Sequence, residues 1–384
     1  MSATGAALGV LGGGQLGRMF VHAAQRLGYA TVVLDPDPAS PAGAAADRHL
    51  RAAYDDAAAL DELVAACVAI TTEFENVPAT VLERLAQARR VAPAAAALRI
   101  CQHRAREKAC FAVAGIRCAP HALIESEADL GRIAPSIFPA LLKTASLGYD
   151  GKGQVGVTSA GDLAAAWAAL GRLPCVLEKR LDLRREFSVV VARADDGAWV
   201  HLPVQQNLHR DGILAVSQVP AIDIPSDVAG EAVAAAAALA GELAYVGVLC
   251  VEFFLLADGS LVANEMAPRP HNSGHYSIDA CDISQFELQV RALAGLPLTS
   301  PRQHSPAVML NLLGDLWFGT DDDAPATPPW SKILALPGAH LHLYGKAEPR
   351  RGRKMGHLTL TAASIDAARA TALQAARLLG LPAF

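Results

Sequence analysis

A chain of 384 residues with 52% hydrophobic content is long enough for two or three domains, and a net charge of −5 gives no general support to nucleic-acid binding. No apolar run approaches the ~20 residues of a membrane span; the longest, residues 232–240, lies between Glu231 and Glu242. The start lacks the basic region of a signal peptide, and the seven cysteines contain no Cys-x-x-Cys pair, so reduced thiols in the cytoplasm are expected rather than disulfides or a zinc site.

Residues 8–11 read as a short buried strand running into Gly12-Gly13-Gly14-Gln15-Leu16-Gly17. A helix pattern follows, with Phe20, Ala23, Ala24 and Leu27 on one side and Gly28 at its end. Residues 31–34, closing at Asp35, and 68–72, closing at Glu73-Phe74-Glu75-Asn76, read as further strands. Strands alternating with helices argue for a parallel α/β sheet with ligands at the carboxyl ends of its strands. Gly12-x-Gly14-x-x-Gly17 with Asp35 also matches a dinucleotide fingerprint. The physical content is weaker than the match: a glycine turn feeding a helix binds any phosphate, or simply lets the helix pack close. Nothing later in the chain looks like hydride-transfer machinery.

From about Pro93 the alternation loosens. Residues 104–114 are predicted as a helix carrying Arg104, Glu107 and Lys108, stopped by Gly115. Residues 139–143 read as a strand with Lys143 at its exit. After it comes Gly148-Tyr149-Asp150-Gly151-Lys152-Gly153-Gln154, whose glycines and lysine suit a mobile flap over phosphates, though it lacks the ending of a Walker A loop. Strands are expected at 176–180 and 185–191, and a polar loop at 205–212. Ser226 reads as the N-cap of an alanine-rich helix ending near Gly241. Beyond lie an amphipathic helix at 283–294, a linker at 321–329, and strands at 339–343 and 357–360 around the basic run Arg350-Arg351-Gly352-Arg353-Lys354.

The most informative stretch is 250–275. Apolar runs flank Asp258-Gly259, a two-residue hairpin signal. With those two residues as the turn, Glu252 falls opposite Glu265, with Cβ atoms roughly 5 Å apart. Like charges there are destabilising unless a cation lies between them or one carboxyl stays protonated. The following Pro268-Arg269-Pro270-His271-Asn272-Ser273-Gly274-His275 is polar and stiff, with the groups that an anionic ligand and its metal need.

These landmarks resemble the ATP-grasp superfamily and, within it, the 5-(carboxyamino)imidazole ribonucleotide synthases, biotin-independent carboxylases of purine biosynthesis. The resemblance runs nearly the whole length. It rests on the glycine turn through Arg18-Met19, on Thr72-Glu73-Phe74-Glu75-Asn76-Val77, on Tyr149 to Gln154, on Asn264-Glu265-Met266-Ala267 through His275, and on His342-Leu343-Tyr344-Gly345-Lys346 with Gly352-Arg353-Lys354-Met355-Gly356-His357. Five such motifs in order are highly specific.

The resemblance implies an ATP-grasp fold, α/β with an α+β centre: a Rossmann-like domain at 1–97, an ATP-grasp domain at 98–300 with a lid at about 115–180, and a small β-rich domain at 301–384. ATP would lie between two small sheets. Arg104 and Lys143 would contact its phosphates, and the flap with Gly148, Gly151, Gly153 and Gln154 would close over them. Backbone groups of Glu178, Lys179, Arg180 and Leu181 would line the adenine, with Glu186 and His209 on the ribose side. Glu252 and Glu265, with Asn264 beside them, would hold one or two Mg²⁺ ions. Ala267 stands where many such enzymes carry an asparagine ligand. Bicarbonate would attack the γ-phosphate, and the carboxyphosphate formed, or CO₂ from it, would be captured by the exocyclic amine of aminoimidazole ribonucleotide.

Tyr149, Asp150 and Lys152 would face the reacting amine and bicarbonate, with Asp150 as proton acceptor. Arg269 and His271 would orient bicarbonate or product, and Glu73, Glu75 and Asn272 would contact the nucleotide. Lys346, Arg353, Lys354 and the backbone of Gln15 and Leu16 would bind its 5′-phosphate. A homodimer is the family expectation. Competing readings are a sister ligase such as formate-dependent glycinamide ribonucleotide transformylase, an oxidoreductase built on the Gly12 turn, and a catalytically silent nucleotide-binding protein. The oxidoreductase leaves Glu252, Glu265 and the basic loop unexplained.

Overall fold

The structure, a computed structural model, describes residues 5–146, 153–318 and 326–384. Gly148, Tyr149, Asp150, Gly151 and Lys152 of the expected flap lie outside the described residues, as do residues 321–325 of the expected linker.

The first strand, β1 (Ala7–Leu11), is buried from Leu8 onward, as a strand covered on both faces must be. It is the middle of a parallel sheet with β2 (Ala30–Leu34), β3 (Arg48–Leu50), β4 (Ala69–Thr72) and β5 (Arg90–Val91), in the order β3-β2-β1-β4-β5. One face packs Leu8 and Val10 against Phe20, Val21 and Ala24 of α1 (Gln15–Arg26). The other packs Leu11 and Ile70 against α2 (Ala57–Ala66), α3 (Ala79–Ala86) and α4 (Ala95–Cys101). Leu11 pairs with Thr72, so the glycine turn and residues 73–76 leave the same carboxyl edge of the sheet.

Helix α5 (Arg104–Val113) leads into an antiparallel sheet of β6 (His121–Ile124), β7 (Ala140–Thr144), β8 (Gln154–Val157) and β9 (Cys175–Lys179), in the order β6-β9-β7-β8. The remaining strands form one large antiparallel sheet. They are β10 (Leu183–Arg193), β11 (Trp199–His201), β12 (Gln205–Arg210), β13 (Ile213–Val219), β14 (Gly247–Leu256), β15 (Leu261–Ala267), β16 (Ala307–Leu313), β17 (Ala339–Leu343) and β18 (Lys354–Thr361). Their order is β15-β14-β10-β12-β13-β16-β18-β17, with β11 on β10, so a single sheet continues past position 300. Phe187 stacks on Phe253 with centroids 5.7 Å apart, beneath the helix Ser226–Glu242.

Three expectations need correction. Residues 205–210 form the strand β12 instead of a loop; Gln205 is 0% exposed and Asn207 7%, so their polarity marks a buried network and not solvent. Ser226 is the first residue of its helix: Pro225 takes the cap position, and no side chain caps it. The helix expected from 283 begins at Gln285, where the Ser284 side chain accepts from the Glu287 N–H. No described helix is long and apolar enough to cross a membrane, and all seven cysteines are free.

Candidate active site

The hairpin of β14 and β15 turns differently from the two-residue expectation. Leu256 N–H donates to the Ser260 carbonyl at 2.9 Å, and Gly259 sits at φ 84°, so the loop has three residues. That shifts the inner register by one, and Phe253 faces Ala263. Outside, Val251 faces Met266 and Cys250 faces Ala267. Between these pairs one residue, Glu252, meets two, Asn264 and Glu265. The bulge cancels the shift of the turn, and the two glutamates meet after all, re-aimed at the cleft.

Their environments separate them. Glu252 is 8% exposed, and burial, with the Glu265 charge opposing His209, pushes its carboxyl above the ordinary range. Burial also works against the Glu265 charge, but Arg104, whose Nη1 lies 3.0 Å from Oε2, and Lys143 outweigh it and hold that carboxyl down. His271 Nε2 is 3.2 Å from Glu252 Oε1, and burial pushes its imidazole well below its usual value. His209 pairs with Glu186; burial lowers its affinity for a proton, and the Glu186 and Glu252 carboxylates more than restore it.

Behind this pair lies a second charge cluster that the sequence reading missed. Glu178 Oε2 accepts from Lys143 Nζ at 2.8 Å, and Oε1 is 3.2 Å from the Nζ of Lys108, which is 1% exposed. Burial pushes the Glu178 carboxyl up, and the two ammonium groups bring it below its ordinary range. On α5, Arg104, Glu107 and Lys108 share one face at spacings of three and four, which was the available signal. Glu107 Oε1 accepts the Met266 N–H at 2.6 Å, next to Glu265.

A cleft of about 720 Å³ brings together Gln15, Leu16, Glu73, Glu75, Arg104, Glu252, Glu265, Arg269, His271, Asn272, Lys346, Arg353 and Lys354. Glu186 and His209 line an adjoining hollow of about 340 Å³ instead. Lys143 and Gln154 face each other across β7 and β8, and the Gly153 carbonyl accepts from Thr144 N–H at 2.8 Å. Glu178 and Lys179 end β9, which delivers Arg180 and Leu181 to the start of β10.

The glycine turn is largely filled by the chain itself. Gly13 N–H donates to Asp35 Oδ2 at 2.7 Å, Gly17 N–H to Glu73 Oε2 at 2.6 Å, and Gly14 N–H to the other Glu73 oxygen. Gly12 sits at φ 106°, and a Cβ there would run into the Glu73 and Phe74 side chains. The amides and the acid that a dinucleotide would use are therefore taken. Gln15 and Leu16, in the first turn of α1, keep backbone N–H groups without a partner among the described residues, and both line the cleft. Glu75 is likewise committed, gripped bidentately by Arg269 at 2.5 and 3.1 Å; that guanidinium overcomes burial and holds the carboxyl down.

In the basic loop, Lys346 Nζ donates to the Lys354 carbonyl at 2.6 Å, and the Gly352 N–H donates to Asp315 Oδ2 at 2.7 Å. Beneath it His342 stacks on His357, centroids 4.4 Å apart and rings 12° from parallel, with Asp279 at 2.8 Å from His342 Nε2. These three side chains come within 4.8 Å, but near-parallel stacked rings cannot both aim an in-plane lone pair at one ion.

Over 361 residues the chain is 47% identical to the N5-carboxyaminoimidazole ribonucleotide synthase of Brucella melitensis, covering 92% of this chain and 96% of that protein. The Bacillus subtilis protein of the same name is 39% identical, covering 92% and 91%. The chain belongs to the N5-carboxyaminoimidazole ribonucleotide synthase family. Residues 6–102 match the ribonucleotide synthetase preATP-grasp domain, 109–286 the ATP-grasp domain and 307–371 the phosphoribosylaminoimidazole carboxylase C-terminal domain.

Among solved members of the synthase family, an ADP complex superimposes with a TM-score of 0.91 at 38% identity, covering 99% of both chains. A synthase from Aspergillus clavatus in complex with ADP and 5-aminoimidazole ribonucleotide gives 0.88 at 31% identity, covering 98% of this chain and 99% of that one. The donors at the bulge in this synthase-family chain, two carboxylates with an amide oxygen on Asn264, fit a hard divalent cation such as Mg²⁺ better than a thiophilic metal.

Proposed function

We propose that the protein uses ATP and bicarbonate to carboxylate the exocyclic amine of 5-aminoimidazole ribonucleotide, giving 5-(carboxyamino)imidazole ribonucleotide, ADP and phosphate in purine biosynthesis. One observation carries this reading: a single cleft holds an opposed carboxylate pair with Arg104, and also a basic loop and two helix amides that have no partner among the described residues. It therefore has room and charge for a nucleoside triphosphate beside a second phosphorylated substrate.

Arg104 and Lys143 take the ATP phosphates, Glu178 to Leu181 the adenine, and Glu186 with His209 the ribose side. Glu252 and Glu265 would hold Mg²⁺, with Asn264 beside them, and the ion when bound would supply positive charge to the transferring phosphoryl oxygens. A bicarbonate oxygen bonds to the γ-phosphorus as the bond to the bridging β–γ oxygen breaks, leaving ADP and carboxyphosphate. Arg269 and His271 orient the bicarbonate. The amine nitrogen then bonds to the carboxyl carbon, directly or through released CO₂, phosphate departs, and the amine proton passes to Asp150. Tyr149 and Lys152 are assigned to the same atoms, and Gly148, Gly151, Gly153 and Gln154 to a flap that shields the labile intermediate from water.

Lys346, Arg353, Lys354 and the Gln15 and Leu16 amides receive the 5′-phosphate. Glu73 acts through the glycine turn, fixing those amides, while Glu75 fixes Arg269 and Asn272 lines the substrate end. The working form is a cytoplasmic homodimer.

The test is ADP release from Mg-ATP and bicarbonate with and without aminoimidazole ribonucleotide. Strong stimulation with bicarbonate-dependent N-carboxylated product is expected. Stimulation only by formate with glycinamide ribonucleotide would transfer the assignment to the sister ligase, and no turnover under either condition would sink the enzyme reading.

A further inference from the structure

Beneath His271 lies a run of buried polar side chains that the reaction above leaves unused. Ser188, Gln205, Ser217 and Ser273 are fully buried, and their hydrogen bonds can be followed in one direction. Ser217 Oγ donates to Asn207 Oδ1 at 2.8 Å, and Asn207 Nδ2 donates to Ser188 Oγ at 2.8 Å. Ser188 Oγ donates to Ser273 Oγ at 2.8 Å. Gln205 Nε2 donates to both serine oxygens at 3.2 Å, so neither hydroxyl gives its proton to Gln205. Each hydroxyl has one proton. Ser273 Oγ also touches the Cys250 sulfur, a weak acceptor; the strong acceptor within its reach is His271 Nδ1, 2.9 Å away.

A second contact fixes the sense independently of how any amide is oriented. The backbone N–H of Ser273 points at the same Nδ1, at 3.4 Å, and a backbone N–H can only donate. Nδ1 is therefore an acceptor with no room for a proton. The ring proton sits on Nε2, the atom 3.2 Å from Glu252 Oε1.

We propose that Ser273, backed by Ser188, Asn207 and Ser217, is a positioning residue that locks His271 in the Nε2–H tautomer, so that the imidazole offers the cleft a hydrogen-bond donor and never a lone pair. Held this way, His271 cannot enter the coordination sphere of an ion on Glu252 and Glu265. Its one N–H steers the Glu252 carboxylate, and is open to an oxygen of bicarbonate or of the carboxylated product only when Glu252 turns away from it. Burying this many polar groups is costly unless they are paired; every hydroxyl and amide nitrogen named here has a partner, while the Gln205 Oε1 atom is buried without one among the described residues. The consequence for catalysis rests on the carboxylase reading; the tautomer does not.

The experiment is magic-angle-spinning ¹⁵N spectroscopy of the full chain labelled at histidine, with His271 assigned by its loss in His271→Gln. The expected spectrum shows His271 with a protonated Nε2 and a bare, hydrogen-bonded Nδ1. An Nδ1–H imidazole at His271 overturns the proposal without any further variant. In Ser273→Ala the Nδ1 resonance should shift and a fraction of the Nδ1–H form should appear. Turnover should fall about tenfold with little change in the KM for ATP, and Ser273→Thr, which keeps the hydroxyl, should restore the spectrum. An unchanged spectrum in Ser273→Ala sinks the role of Ser273. If that variant does not fold, Ser188→Ala takes its place: a smaller Nδ1 shift is expected, and none would break the chain. The spectrum needs no turnover, so failure of the carboxylase assignment and failure of the tautomer are read separately.

Discussion

Glu178 and Glu252 are both buried glutamates on strands, but only Glu252 lines the cleft, and they are treated in opposite ways. Glu178 lies between Lys143 and Lys108, with more positive charge than it needs, and its carboxyl is held below the ordinary range. Glu252 is buried facing a second carboxylate and the uncharged His271 imidazole, and against the opposing pull of His209 its carboxyl is held above that range. Among the described residues, the first site sets two ammonium groups against one carboxylate, while the second pairs Arg104 with Glu265 and puts no Lys or Arg on Glu252. Burying a charge without a partner is expensive, so the second arrangement points to a ligand and the first to architecture.

The largest effects should come from the incomplete pair. Glu265→Gln should lower kcat/KM for ADP formation by about 10²–10³-fold; a loss under about tenfold would remove Glu265 from the phosphate-handling set. Glu252→Gln should cost similar activity, yet raise the melting temperature of the ligand-free protein, because it removes a repelled buried carboxylate.

Breaking the complete cluster should reverse that balance between activity and stability. Glu178→Gln leaves Lys108 buried without a counter-charge, and should cost about 3–5 kcal/mol in denaturant titrations. The Glu178 contribution also has a defined pH window. Its folded value lies below the ordinary 4.5, so the native state favours the ion; the contribution is present above 4.5 and fades as pH falls through the depressed value. The variant should lack that part of the acid limb.

Glu107 should show the opposite sign. Burial pushes its carboxyl to about 7 from an ordinary 4.5, so the folded protein keeps a proton that the unfolded chain releases. Stability then falls as pH rises from 4.5 to 7, and Glu107→Gln, which still accepts from the Met266 N–H, should gain about 3 kcal/mol at pH 8 and nothing near pH 4. Equal gains at both pH values would show that the Glu107 charge is not at issue. The smallest effect is expected at the glycine turn. Glu73→Gln leaves one of two amides without its acceptor, at about 1–2 kcal/mol, and should weaken the nucleotide substrate more than ATP.

Much of the fold was legible because its signals are local. The strand–turn–helix opening is written in the apolar run before Gly12 and the stripe of Phe20, Ala23, Ala24 and Leu27. The meeting of Glu252 and Glu265 was legible for an incomplete reason. Asp258-Gly259 announced a hairpin, but not that a third loop residue would shift the register and a bulge at Asn264-Glu265 would shift it back. Residues 205–210 read as a loop because polar side chains count as solvent-facing until their partners are known; here the partners are Ser188 and Ser273, 17 and 68 residues from Gln205. The filling of the glycine turn by Asp35 and Glu73 was hidden in the same way, since both acids come from later strands. Pattern reveals which face of an element is buried. It does not reveal which polar groups will meet there.

In the proposed reaction Glu252 and Glu265 together hold the cation that accompanies ATP. The most direct test of this assignment is a titration of ATP into the full-length protein and into the Glu252→Gln/Glu265→Gln double variant, with excess Mg²⁺ and with a chelator. Mg²⁺ should tighten ATP binding by about tenfold or more in the unaltered protein and by less than about twofold in the variant. Equal tightening in both would contradict the assignment and move the ion elsewhere in the cleft.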